Sequence, residues 1–117
     1  MSLVTNVMIQ LDDLADKANL AALDDLTRDS TADGHQILRC ITDRDPGEFW
    51  GGSKYPECGI WAAAFNYLEI DAFLAGIEAM TWHAPKCFRL FIQEQEDDAF
   101  GVYLLRGGKL VKVVEGT

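Results

Sequence analysis

Cys58-Gly59-Ile60-Trp61-Ala62-Ala63-Ala64-Phe65 is the longest apolar run in the chain, and its reading decides the fold. Tyr55-Pro56 stands before it and polar Asn66 after it. A run this short, with Trp and Phe in it, fits a strand buried on both faces. Downstream, Ile70, Phe73, Leu74 and Ile77 fall at i, i+3, i+4 and i+7, one stripe of a helix. Neither element can bury its apolar surface alone, so the strand is expected inside a sheet with the helix lying flat across it.

Before this stretch, residues 3–10 place Leu3, Thr5, Val7 and Ile9 on one face and Val4, Asn6, Met8 and Gln10 on the other. Period two with β-branched residues predicts a strand, and its one apolar face suits a sheet with helices on a single side. Residues 11–29 read as helix. Leu11, Leu14, Ala15, Ala18 and Ala22 make one stripe, which Leu20, Leu23 and Leu26 widen. Asp12 and Asp13 suit the positive end of its dipole. Asn19 could instead cap a second, shorter helix, so one bent helix and two both stay open. Asp12, Asp13, Asp16, Asp24, Asp25 and Asp29 form the expected solvated face. Residues 30–34 predict a turn and residues 35–42 a strand. Residues 43–56 contain Asp45-Pro46-Gly47, Gly51-Gly52 and Pro56, and predict a long connection.

After the central strand and helix, Pro85 blocks further helix. Residues 86–94 alternate, with Phe88, Leu90 and Ile92 facing one way. An acidic turn covers 95–98 and a strand 99–106. Gly107-Gly108 is a two-residue hairpin signal before the last strand at 109–115. The order is β-α-β-β-α-β-β-β. Its first six elements match the ferredoxin-like split βαβ pattern, extended by a C-terminal β-hairpin. Right-handed crossovers place strand three between strands one and two, strand four beyond strand one, and both helices on one face of a mainly antiparallel sheet. A more curved antiparallel sheet wrapped around the Ile70 helix is the rival arrangement.

With 117 residues, the chain is read as one α+β domain spanning 1–117. A net charge of −9 argues against nucleic acid and against anionic membranes as partners. It permits a basic partner, and it also serves plain solubility. Cys40, Cys58 and Cys87 are odd in number, which predicts buried thiols and a reducing, cytoplasmic address. No run is long enough to span a bilayer.

Phe49, Trp50, Lys54 and Tyr55 lie in the long connection and are the first candidates for a binding site. Trp and Tyr dominate interaction hot spots. The competing reading folds Trp50 back onto its own core. Trp82 and His83, at the end of the second helix, complete the candidate set. His83 either caps carbonyls there or does acid–base work with Glu57, Cys58 or Asp71. The spacing matches no phosphate loop and no metal motif, and no cofactor is indicated. Lys109 and Lys112 among valines blunt the final strand as an edge, yet an open edge there would let two copies pair as a homodimer. No motif decides for or against an enzyme. The function expected is a protein-interaction domain, an inhibitor or immunity-type neutraliser of a basic partner. The alternative is a small-molecule or enzymatic site between residues 49–55 and the end of the second helix.

Overall fold

In the computed structural model, which describes residues 4–12, 14–31, 37–41 and 59–116, the N-terminal alternation becomes β1 (Val4–Leu11). Thr5, Val7, Ile9 and Leu11 are buried, and the residues between them are half-buried. Helix α1 (Asn19–Asp29) follows a turn at 14–18, then come β2 (Arg39–Cys40) and β3 (Gly59–Asn66). Helix α2 (Ile70–Ala79) leads through a 3-10 turn (Pro85–Cys87) to β4 (Arg89–Glu94), β5 (Gly101–Arg106) and β6 (Lys109–Val114). The strands form one sheet in the order β2-β3-β1-β4-β5-β6, and every neighbouring pair is antiparallel. Strand three thus lies between one and two, strand four beyond one, and the last hairpin beside strand four.

From Gly59 on, the apolar run is a strand, but among the described residues it is covered on one face only. Phe65 is buried and Trp61 and Ala63 pack against the core, while Ile60 and Ala62 are half-buried and Ala64 is exposed. The expectation of burial on both faces is corrected for a simple reason: both helices contribute to the core on the Trp61–Phe65 side. That core joins Val7, Ile9 and Leu11 of β1, Leu90 and Ile92 of β4, and Leu105 of β5 to Leu23 of α1 and Phe73 and Ile77 of α2. Phe73 and Ile77 are fully buried, each contributing on the order of 1.5–3 kcal/mol of apolar burial.

The stripe assigned to residues 11–22 does not form. Leu11 ends β1, Leu14 is 86% exposed, and Ala15, Ala18 and Ala22 are exposed. Asp12 explains the change. Its carboxylate accepts the N–H groups of Leu14 and Ala15 at 3.0 Å each, holding a turn where a helix would otherwise start. Helix α1 therefore begins at Asn19 and faces the core through Leu20, Leu23, Leu26 and Thr27. Asn19 does not cap it; its side-chain amide donates to the Thr81 carbonyl at 2.8 Å. Asp16, expected in water, is 1% exposed.

Close approaches set the helix pair. A Cβ on Gly76 would run into the Leu26 side chain, so glycine lets α2 approach α1 with Leu26 in its place. The Glu69 N–H donates to the Ser30 carbonyl at 2.7 Å, joining the end of α1 to the start of α2. At the hairpin, Gly107 and Gly108 have φ of 59° and 78°, the paired positive values of a tight two-residue turn.

Candidate functional site

Register defines a surface that no helix among the described residues covers. Arg39, Ala62, Met8, Phe91, Val102 and Val114 are successive cross-strand partners, a row through all six strands. At strand spacing such a row is about 24 Å long. Ile60, Gln10, Arg89, Leu104 and Val111 form the next row. Met8, Ala62, Phe91, Val102 and Leu104 are half-buried, and Val111 and Val114 are 37% and 50% exposed. Among the described strand residues, the charges on this face are all of one sign. Its strand residues include Arg39, Arg89, Arg106 and Lys109 and no Asp or Glu, although acids outnumber bases 19 to 10 in the whole chain.

Where this face meets the β5–β6 hairpin, a cleft of about 560 Å³ opens. Pro85, Lys86 and Arg89 form one side, Arg106, Gly107 and Gly108 the other, and Leu104 and Leu105 also line it. Arg89 Nη1 donates to the carbonyls of Lys86 at 2.8 Å and Phe88 at 3.1 Å. Those bonds fix the guanidinium and leave Nε and Nη2, three further donors, uncommitted among the described residues. The described ion pairs are Arg28–Asp25 at 3.6 Å and Lys112–Glu115 at 3.2 Å. Neither involves a cation of the cleft.

Of the residues singled out in the sequence, Phe49, Trp50, Lys54 and Tyr55 lie outside the described residues, as do Glu57 and Cys58. The meeting of that segment with His83 is therefore not part of the described geometry. Trp82 is half-buried, and its indole N–H donates to the Ile77 carbonyl at 2.8 Å, satisfying the last turn of α2. Its ring packs tilted on Phe88 with centroids 4.7 Å apart. The His83 side chain is exposed, while its backbone N–H donates to Asp16 Oδ1 at 2.6 Å. Cys87 is exposed in the 3-10 turn, so the expectation of a buried thiol in a strand fails there: Pro85 starts a turn, and the strand begins only at Arg89. Cys40 is half-buried in β2. Among the described residues no group of three His, Cys, Asp or Glu is placed to hold a metal ion, and no helix is long and apolar enough to cross a membrane.

Sequence reading missed Arg89, Arg106, Met8 and Phe91 as surface determinants. Their alternation was visible, but a common face emerges only once the strands are paired. No family model matches this chain, and no curated protein or solved structure matches it.

Proposed function

We propose that this chain is a protein-interaction domain whose contact surface is the uncovered face of the sheet. The observation that carries the reading is the row Ala62–Met8–Phe91–Val102–Val114, apolar across five strands, whose charged strand neighbours on that face among the described residues, Arg39 and Arg89, are both cations. Continuous apolar area rimmed by polar groups suits association. Arg is favoured in interfaces over other charged residues. The one-signed charge selects the partner: a second copy would set four cations against four, whereas a surface bearing Asp or Glu would complement them. The fold reading that accompanies this is a ferredoxin-like split βαβ unit with an added hairpin, supported by the order β2-β3-β1-β4 and by β5-β6 beyond β4.

Neutralisation of a basic partner is the second reading. It draws on the helical side, where Asp25, Asp29, Glu69 and Asp71 are exposed. That side offers acidity without a comparable apolar row.

The test uses the full chain, immobilised and presented with native cell extract, against three variants. Met8→Glu and Val102→Glu place a carboxylate on the uncovered face, and Lys17→Glu changes charge by the same amount on the turn before α1. Binding of an acidic partner that Met8→Glu and Val102→Glu abolish and Lys17→Glu preserves is the expected result, with all variants melting cooperatively. Partner capture unchanged by both face variants removes this face as the contact surface. Capture of a basic partner that Lys17→Glu strengthens and both face variants leave unchanged would favour the helical side.

A further inference from the structure

We infer that the cleft between the 3-10 turn and the β5–β6 hairpin is a binding site for an organic oxyanion: a phosphate or carboxylate group carried on a small apolar body. The inference goes beyond the interaction reading, because it rests on the cleft and not on the middle of the sheet.

Three cations converge there. Arg89 faces Leu104 across the β4–β5 ladder, and Arg106 stands two residues further along on the same side of the sheet. Arg89 and Arg106 are thus diagonal neighbours, about 7–8 Å apart at the backbone. Lys86 approaches from the 3-10 turn, and Lys109 is the direct cross-strand partner of Arg106. Like charges brought together repel unless an anion sits among them. Among the described residues no carboxylate lines the cleft, and none of its cations forms an ion pair. Clustering of this kind is unexpected in a chain with a net charge of −9.

The geometry adds selectivity. Arg89 is held by two carbonyls on one nitrogen, so its remaining fork is already oriented. Such a fork matches the paired oxygens of a carboxylate or phosphate. Lys86 and Arg106 are exposed and can swing onto the same group. Leu104, half-buried, and Pro85, exposed, give the rest of the ligand an apolar surface to cover. Gly107 and Gly108 have open space where a Cβ would stand, so no side chain closes the hairpin wall. A simple inorganic anion would use the cations and leave Leu104 and Pro85 wet; an aryl or alkyl oxyanion would use both.

The experiment is a titration of the full chain followed by backbone amide and Arg Nε–H NMR shifts. The probes are phenyl phosphate, benzoate, inorganic phosphate and, as a cation control, phenethylammonium. Saturable shifts confined to Gly107, Gly108, Lys86 and Arg89 are expected with phenyl phosphate. It should bind about tenfold more tightly than inorganic phosphate, reflecting burial of the ring. Lys86→Ala and Arg106→Ala should each weaken it about fivefold or more, and Arg89→Lys should do so despite keeping its charge. Lys17→Ala should leave it unchanged. Benzoate binding as tightly as phenyl phosphate assigns the site to carboxylates, and much weaker binding assigns it to phosphates. Shifts spread over the whole surface, equal binding of phenyl and inorganic phosphate, or equal losses in Lys17→Ala and Arg106→Ala would each overturn the site. Met8 is a diagonal neighbour of Arg89, so Ala62→Glu, on the same row of the docking face but two strands from Arg89, separates the two readings; its effect on partner capture and the phenyl phosphate titration can fail independently.

Discussion

Asp16 Oδ1 accepts the backbone N–H of His83 at 2.6 Å, across 67 residues of sequence. Its second oxygen accepts the N–H of Ala84 at 3.1 Å. The turn before α1 thereby holds the segment leaving α2, and Asn19 adds a bond to the Thr81 carbonyl next to it. Past Trp82 the chain has left the helix and entered no strand, so its N–H groups have no ladder to join. A buried carboxylate supplies what regular structure does not. This clamp also fixes the approach to Pro85 and Lys86, one wall of the cationic cleft.

Asp16→Ala is expected to be among the more damaging single substitutions outside the apolar core. It leaves two backbone N–H groups without acceptors, and bonds to a charged group are worth roughly 1.5–3 kcal/mol each. A loss of about 3 kcal/mol in urea unfolding is expected, and Asp16→Asn, which keeps one acceptor, should lose about half of that. A change below about 1 kcal/mol for Asp16→Ala would mean that water replaces the carboxylate and that the clamp is incidental.

Glu78 of α2 reaches the outer sheet edge and accepts the Leu110 N–H of β6 at 2.9 Å. Edge N–H groups left open invite another strand. Here one is occupied, and an irregular register at Val102/Tyr103 disturbs the ladder further along the same strand. Glu78→Ala should cost about 1 kcal/mol and raise the sheet's tendency to pair with a second copy. Sedimentation across a concentration series checks it: Glu78→Ala should show mass rising with concentration more steeply than wild type or Glu78→Gln. Identical profiles for all three would show that the edge is protected by other means.

Gly76→Ala tests the helix crossing. On an isolated helix this change stabilises by about 1 kcal/mol. Here the new methyl meets the Cδ atoms of Leu26, so that half-buried side chain must turn from its place beside the core. Net destabilisation of about 1–2 kcal/mol is expected. The double variant Gly76→Ala/Leu26→Ala should be more stable than the sum of the two single effects predicts. Strict additivity would mean that the residues do not oppose each other.

Legibility followed the length over which a pattern repeats. The Phe73–Ile77 stripe, the Phe88–Leu90–Ile92 alternation and the Gly107-Gly108 turn each repeat or stand alone without rivals, and each is found where its spacing placed it. Residues 11–22 mislead because Leu11, Leu14 and Ala15 mimic helical spacing, while the deciding event is the Asp12 carboxylate bonding the amides two and three residues on. Asp16 was read as solvated because acids usually are, and its partners lie far along the chain. The charge of the uncovered face was hidden for a related reason. Arg39, Arg89, Arg106 and Lys109 come from four strands, and only the register puts them on one side.

Asp24 gives the pH dependence with a sign that can be worked out. Partial burial pushes its carboxyl above the ordinary value of 3.8; Arg28 pulls it down less strongly, and Asp25 adds to the rise. A carboxyl raised on folding is more protonated in the native state than in the unfolded one, across the window between 3.8 and its folded value. Stability from this group therefore increases as pH falls through that window and is lost as pH rises out of it. Asp24→Asn removes the dependence. Solvent screening keeps the effect small, at most about 0.5 kcal/mol. Urea unfolding of wild type and Asp24→Asn from pH 7 to pH 3 should show wild type gaining relative to the variant as the solution is acidified, then running parallel below about pH 3.8. If wild type instead loses ground on acidification, the attraction to Arg28 outweighs burial at this position.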